Sequence, residues 1–175
     1  MCHLETIFPD DAFDVVVCYG GPLSYVFDRR RDALEQLIRV TRPGGILLFS
    51  VMSLWGTAHQ FLPGILDIEV EANREILTTG NLTPKTVGSD RHYTHLYRAE
   101  EFRNLLESAG LTIDMISASN CLSTTWTEQL ADLPQEGEAW QHLLEMEIDA
   151  CRQPGCLDMG THLIARGTKA EENLG

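Results

Sequence analysis

The spacing of hydrophobic residues predicts a strand, a helix and a second strand within residues 8–53. Val15–Val17 and Ile46–Ser50 are continuous apolar runs, which are typical of strands that helices cover on both faces. Between them, apolar residues recur every three or four positions after Asp28, the predicted helix cap, and a Pro-Gly-Gly turn after Arg42 ends the helix. A strand, a helix and a strand in this order form a βαβ unit, so we expect a parallel α/β sheet.

A long segment of weak periodicity follows, and regular elements then return. Residues 54–97 exceed the usual length of a connection, so we expect a lid-like insertion with a short helix that starts at Leu54 and ends at Pro63. In the last predicted helix, apolar residues form one face and Glu147 belongs to the opposite, polar face. In order, the remaining predicted elements are a helix over 100–110, a strand over Leu111–Ala118, a helix over 137–152 and a strand over 160–166.

Composition and charge argue against several classes of partner. The formal net charge of −13 disfavours nucleic acid, because binding to phosphates depends on Lys and Arg. No apolar run approaches the roughly 18 residues that span a bilayer, and the first residues lack the pattern of a signal peptide. We therefore expect no membrane partner and a soluble, cytoplasmic protein that binds a small molecule or another protein.

The cysteines and histidines do not predict a metal site. The five cysteines are odd in number and contain no CxxC pair, so we expect reduced thiols, several of them packed as small hydrophobic side chains. His92 and His95 lie three residues apart, but no matching thiol or carboxylate cluster accompanies them in the sequence. We therefore expect no bound metal.

The candidate ligand site is the loop that follows the first predicted strand. Ligands of open α/β sheets bind beyond the carboxyl ends of the strands. Here that end is formed by Cys18, Tyr19, Gly20 and Gly21. The two glycines end regular pairing and allow a ligand to approach the backbone closely. A lid over this loop would make Trp55 and Tyr93 candidate substrate-binding residues.

Four stretches of the sequence together resemble the carboxyl-terminal half of a class I S-adenosylmethionine-dependent methyltransferase. They are FDVVVCYGGPLSY, LIRVTRPGGILLFSV, YRAEEFRNLLESAGLTIDMISAS and GTHLIARGTK. The family has a Rossmann-like sheet of seven strands in the order 3-2-1-4-5-7-6, in which strand 7 is antiparallel. The resemblance implies a partial α/β sheet with strands 4-5-7-6 and flanking helices. In chain order, strands 4 to 7 would be Asp14–Cys18, Ile46–Val51, Leu111–Ala118 and Thr161–Ala165.

The resemblance also implies a cofactor, a substrate class and site residues. The cofactor would be S-adenosylmethionine, the substrate a small-molecule methyl acceptor, and the cofactor-binding positions Cys18, Tyr19, Gly20 and Gly21. Catalytic candidates that can act as a general base are Tyr25, His59, His92 and His95. The rings of Tyr19, Tyr25 and Trp55 are candidates to stabilise the sulfonium cation.

Two cofactor-binding motifs of the family have no match in this sequence. They are the GxGxG loop after the first strand of the family and an acidic residue that ends its second strand. The crevice between strands 1 and 4 therefore has only one wall here. We expect a single truncated domain over residues 1–175, with insertions at about 54–97 and 121–155, which by itself is impaired or inactive.

Three other functions are alternatives to methyl transfer. A non-catalytic interaction module would use the exposed edge of the Val15–Val17 strand to form a homodimer or to bind a partner chain. A hydrolase would use Tyr19-Gly20-Gly21 as an oxyanion loop, but the sequence has no GxSxG nucleophile motif. A dinucleotide oxidoreductase would need GxGxxG, which is absent as well.

Overall fold

The computed structural model describes residues 1–87 and 93–171. Within them, six strands form one sheet of four strands and one sheet of two. The strands are β1 (Phe13–Cys18), β2 (Thr41–Met52), β3 (Asn81–Leu82), β4 (Thr94–His95), β5 (Leu111–Ala118) and β6 (His162–Lys169).

The larger sheet is mixed and has the order β1-β2-β6-β5. β1 pairs in parallel with β2, whereas β6 pairs antiparallel with both β2 and β5. β1, β2 and β5 therefore run in the same direction, and their carboxyl ends meet at one edge of the sheet. Three strands contain their predicted segments, β6 starts one residue later than predicted, and the strand order corresponds to 4-5-7-6 in the numbering of the resemblance. The expected α/β class with a partial Rossmann-like sheet and flanking helices is confirmed.

Helices flank the sheet and form most of the two inserted segments. They are α1 (Pro22–Tyr25), α2 (Arg30–Val40), α3 (Leu54–Gln60), α4 (Leu62–Leu66), α5 (Val70–Thr79), α6 (Pro84–Val87), α7 (Ala99–Ser108), α8 (Thr127–Leu130) and α9 (Glu138–Cys151). Short 3-10 helices cover Leu4–Thr6, Phe27–Arg29 and Pro154–Met159.

The main core lies between the sheet and the helices α2 and α7. Apolar residues spaced three or four apart on each helix meet residues of the central strands, which is the arrangement that hydrophobic periodicity favours. The Phe49 and Phe102 rings, from β2 and α7, meet edge to face with centroids 6.5 Å apart. Other fully buried members of this cluster are Leu34, Leu47, Leu106, Leu163 and Ala165.

The structure corrects the sequence interpretation at both ends of the first helix and in the first insertion. Asp28 lies in the 3-10 helix before α2, and α2 has no side-chain cap. The Pro-Gly-Gly segment after Arg42 is the start of β2 and not a separate turn. Pro63 does not end a helix but occupies the first turn of α4, where a missing N–H leaves no hydrogen bond unmade.

Two surfaces also differ from the prediction. In β1, Val15 and Val17 are 49% and 58% exposed, so helices do not cover both faces of this strand. Among the described residues, β1 has β2 as its only strand neighbour, so it lies at the sheet edge, as the sequence predicted. In α9, Cys151 is the only buried residue, and the carboxylate of Glu147 contacts the loop at residues 121–123 and does not belong to a solvent face.

Candidate functional site

The loop after β1 has a backbone conformation that glycine allows and other residues resist. Gly20 and Gly21 have φ angles of 86° and 77°, in the left-handed region. Pro22 then begins α1, where its fixed φ suits the first helical position. A Cβ placed on Gly20 would have no heavy atom within 4 Å, so the surface beside this residue is open.

Two serine hydroxyl groups hold this loop against the end of β2. The N–H of Gly20 donates to Oγ of Ser50 at 2.9 Å, and the N–H of Met52 donates to Oγ of Ser24 at 3.0 Å. Both serines are buried. Our sequence interpretation did not assign either residue a role. A polar residue at the end of the apolar run of β2 was the available signal for Ser50.

The predicted cofactor-binding residues have contrasting environments. Cys18 is buried, and burial raises the pKa of its thiol to about 11, so this group stays neutral. Its Sγ lies 3.7 Å from Sδ of Met1. Tyr19 and Tyr25 are about half exposed, so their rings lie at the surface of the site. The loop thus presents glycine backbone and tyrosine rings, whereas the cysteine belongs to the core.

The two predicted substrate-binding residues lie near the two ends of the segment over residues 54–97. Trp55 is in the first turn of α3, directly after β2, and the guanidinium carbon of Arg98 lies 5.9 Å from its ring centroid. The ring of Tyr93 packs against that of Phe27, with centroids 5.3 Å apart, and so lies next to the segment that follows α1. The structure therefore places Tyr93 near the loop from β1.

The structure describes two of the three histidine candidates, and these two differ in exposure and contacts. His59 is exposed and lies four residues after Trp55 on α3, so both side chains share one face of the helix. His92 lies outside the described residues. His95 is 1% exposed, with Nδ1 2.7 Å from Oδ1 of Asn81 and Nε2 2.7 Å from Oε1 of Glu101.

The contacts of His95 suit a residue that holds the lid together. Both ring nitrogens are engaged, and the ring meets Tyr97 edge to face at a centroid distance of 4.4 Å. Burial by itself raises the pKa of Glu101, but the hydrogen bond and the charge of His95 outweigh burial, so this pKa lies below its usual value. A general base needs a ring nitrogen within reach of the substrate, and His95 has none to spare in this structure.

Comparison with known proteins relates this geometry to one group of enzymes. A family model described as a methyltransferase domain matches residues 1–49, which include β1, α1, α2 and the glycine loop. A structure of an S-adenosylmethionine-dependent methyltransferase from Mesorhizobium loti has a TM-score of 0.55 and 18% identity, over 93% of this chain and 64% of its own. The chain has the class I methyltransferase fold.

Two further methyltransferase structures agree with this assignment. The enzyme from Methanosarcina mazei has a TM-score of 0.52 and 17% identity, over 95% of this chain and 63% of its own. The enzyme from Archaeoglobus fulgidus has a TM-score of 0.51 and 13% identity, over 96% of this chain and 64% of its own. The chain thus spans less than two thirds of the length of these methyltransferases. Comparison with curated proteins gave no significant match.

The residues present fit one side of a methyltransferase cofactor cleft. The open surface beside Gly20 and the exposed ring of Tyr19 lie at the carboxyl end of β1, where open α/β sheets bind their ligands. The opposite wall would lie beyond the free edge of β1. Among the described residues, no strand occupies that edge.

No helix in the described part of the chain is long and apolar enough to cross a membrane.

Residues between Leu54 and Leu96 form an apolar cavity of about 260 Å³. It lies beside α3, and its wall is formed mainly by aliphatic side chains from α3, α4, α5, β3 and the segment before Tyr97. Thr57 also lines this cavity, and its buried hydroxyl oxygen has no hydrogen-bond partner among the described residues. Asn73 is the other polar residue of the lining.

A second group of polar side chains lies in the other insertion, away from the glycine loop. Ligand atoms of Cys121, Glu147 and Cys151 all lie within 4.8 Å of one another. Burial raises the pKa of Glu147, but the N–H groups of residues 121–123 and the hydroxyl of Ser123 outweigh it and lower this pKa to about 2. Sequence spacing gave no signal for this cluster, because Cys121 lies 30 residues before Cys151.

Proposed function

We propose that this chain supplies the β1–β2 side of an enzyme that transfers a methyl group from S-adenosylmethionine to a small-molecule acceptor. The observation that carries this proposal is the left-handed glycine loop at the carboxyl end of β1, within a sheet that has the methyltransferase fold. The family match over residues 1–49 covers this same loop. We further propose that residues 1–175 form one domain with variable insertions at about 54–97 and 121–155.

The residues of the loop would bind and orient the cofactor. Gly20 would allow the ligand to lie against the backbone, because a side chain there would fill the open surface. The rings of Tyr19 and Tyr25 would face the sulfonium cation, an attraction worth about 0.5 to 2 kcal/mol. When bound, S-adenosylmethionine supplies an electrophilic methyl group, and alignment of the acceptor with that group is the main requirement for transfer.

The lid would hold the acceptor. The cavity beside α3 has an almost wholly apolar lining, so it suits a small apolar group better than a charged one. Trp55 and Tyr93 would contact the part of the acceptor nearest the loop. If the acceptor must lose a proton, His59 on the exposed face of α3 is the described histidine among the candidates whose ring is accessible, and Tyr25 is the other described candidate.

The cofactor cleft would be completed from outside the free edge of β1. The sequence contains no GxGxG loop and no acidic residue that ends a preceding strand. We therefore propose that the 175-residue chain by itself binds the cofactor weakly and has little or no activity. A second wall that pairs with β1 would raise the affinity, because the ligand would then be enclosed on both sides.

The test is a titration of the chain with S-adenosylhomocysteine in which the backbone amide NMR signals are recorded at each ligand concentration. We expect shifts confined to the signals of residues 19–21 and their neighbours, with a dissociation constant in the millimolar range. Gly20→Ala should weaken these shifts. Gly110→Ala is the matched control, because Gly110 also has a left-handed φ of 88° and no heavy atom near a Cβ. Gly110 directly precedes β5, so it lies at the edge of the sheet opposite to the glycine loop.

The outcomes separate the two parts of this proposal. If the loop signals do not move at millimolar ligand, the cofactor assignment is wrong. A micromolar dissociation constant would support the cofactor assignment but contradict the incomplete cleft. If Gly20→Ala and Gly110→Ala weaken binding equally, the effect comes from lost stability and the loop is not the binding surface.

A second candidate function is an interaction module that pairs through the edge of β1. The observation that favours it is the exposure of Val15 and Val17 on an edge strand, since such strands readily pair with another chain. Val17→Lys should then convert a dimer to a monomer in size-exclusion chromatography with light scattering. Val70→Lys is the control, because Val70 is 59% exposed and lies on α5. A chain that is monomeric before substitution would exclude self-pairing.

A further inference from the structure

Two separate parts of the second insertion bring metal-ligand groups together. Cys121 lies three residues after the end of β5, whereas Glu147 and Cys151 lie one helical turn apart on α9. The thiol sulfurs of the two cysteines and a carboxylate oxygen of Glu147 all lie within 4.8 Å of one another. Cys121 and Cys151 are both buried, so their thiols are shielded from bulk water.

The carboxylate of Glu147 is held in one orientation by the backbone of the loop. Oε1 accepts a hydrogen bond from the N–H of Leu122 at 2.9 Å, and Oε2 accepts one from the N–H of Ser123 at 2.9 Å. Oε1 also accepts a hydrogen bond from the N–H of Cys121. A carboxylate has about four acceptor positions. Oε1 accepts two of these N–H groups, and Sγ of Cys151 lies 3.5 Å from the same oxygen, so an ion bound at Oε1 would replace one of the existing hydrogen bonds.

One of the three donor–donor distances is close to the value expected for zinc coordination, and the other two lie within 4.8 Å. Zn–S bonds of about 2.3 Å and Zn–O bonds of about 2.1 Å, at a tetrahedral angle, place the sulfur and the oxygen about 3.6 Å apart. The observed distance from Sγ of Cys151 to Oε1 of Glu147 is 3.5 Å. Two sulfur ligands and one carboxylate oxygen also form a donor set that thiophilic divalent cations favour.

Helix α9 packs against the rest of the protein through a small core, so a metal site there would strengthen its attachment. Cys151 is the only buried residue in this helix of 14 residues, while Met146 and Ile148 are 47% and 52% exposed. The local core consists of Ala118, Cys121 and Cys151, with Ala150 and Cys156 packed against it. So small a core contributes little hydrophobic stabilisation, and small cores of this kind are commonly supplemented by a metal.

We propose that Cys121, Glu147 and Cys151 bind a thiophilic divalent cation such as Zn²⁺, which fixes α9 to the end of β5. Both thiols lose a proton when the ion binds, and water occupies the fourth position. The neighbouring cavity of about 380 Å³, which Glu147 also lines, gives that water access. This site is independent of methyl transfer, because its residues lie in the second insertion and do not include those of the glycine loop.

Titration of the reduced, metal-free chain with Co²⁺ tests this site without any knowledge of the acceptor. Tetrahedral Co²⁺ with thiolate ligands gives visible d–d bands and a sulfur-to-cobalt charge-transfer band. We expect one equivalent of Co²⁺ to bind, one equivalent of Zn²⁺ to displace it, and about two protons to be released per ion. Bound Zn²⁺ should also raise the melting temperature, because the ion binds only the folded chain tightly.

Variants of single cysteines locate the binding. Cys121→Ser and Cys151→Ser should each lose the stoichiometric cobalt spectrum, whereas Cys2→Ser should keep it, because Cys2 packs near Arg29 in another part of the fold. If the unsubstituted chain develops no charge-transfer band with excess Co²⁺, the proposal is wrong, and this measurement needs no variant to fold. A band of undiminished strength in the Cys121→Ser, Cys151→Ser double variant would also overturn the proposal.

Discussion

Replacement of His95 by alanine should destabilise the lid strongly. The ring is 1% exposed, and removal of a buried ring costs about 3 to 5 kcal/mol in comparable aromatic substitutions. The two hydrogen bonds of 2.7 Å are lost as well, and Asn81 keeps no ring partner. Part of that loss is offset because the side chain of Glu101 is 36% exposed and can be hydrated. We therefore expect a decrease of about 3 to 5 kcal/mol in the free energy of unfolding.

Urea denaturation followed by circular dichroism measures this change, and a thermal scan should show a melting temperature about 6 to 20 °C lower. His59→Ala is the control and should change the free energy of unfolding by less than about 0.5 kcal/mol, because His59 is exposed. His95→Phe keeps a ring but cannot form the two hydrogen bonds, so it should fall between the two variants. A loss below about 1 kcal/mol for His95→Ala would refute the structural role that we assign to this residue.

Two further predictions concern packing and pH. Gly56→Ala should destabilise the protein by more than about 3 kcal/mol, because its Cβ would overlap the backbone carbonyl of Gly160, whereas Gly64→Ala should be neutral or slightly stabilising because nothing lies near its Cβ. Equal melting temperatures for the two variants would contradict the close contact of α3 with Gly160. For Glu147, the pKa is lowered from 4.5 to about 2 in the folded state, so the unfolded state binds more protons. The stabilisation from this group is thus complete above about pH 4.5 and lost as the pH falls towards 2. Because Glu147 is only partly buried, we expect it to contribute about 1 to 3 kcal/mol to the free energy of unfolding. Denaturation at neutral and acid pH, with a chelator present, measures this contribution. The free energy of unfolding should fall less on acidification for Glu147→Gln than for the unsubstituted chain.

The sheet was the part of the structure that local sequence predicted best. The predicted strand Leu111–Ala118 has the same bounds as β5, and Ile46–Val51 lies within β2. Apolar runs and their flanking breakers determine such elements, because a strand or a helix must bury its apolar face wherever it packs. The pattern also predicted the position of the glycine loop, since only glycine adopts the left-handed φ of residues 20 and 21 without strain.

Contacts between residues distant in sequence were not predictable from local patterns. The hydrogen bonds of Gly20 with Ser50, of Met52 with Ser24, and of His95 with Glu101 depend on which segments become neighbours after folding. Glu147 is the clearest case, because its helical position suggested the polar face whereas its carboxylate binds three backbone N–H groups of a loop. A period of 3.6 residues separates the faces of a helix, but it does not determine what lies against each face.

The sequence by itself determined the four strands of the larger sheet, the main helices between them and the resemblance to methyltransferases, because these depend on short stretches of residues. Only the tertiary structure decided that His95 is enclosed between Asn81 and Glu101 and that Cys121 meets Cys151. The physical reason is that burial and hydrogen bonding depend on distances between segments, and those distances are set by the packing of the whole chain.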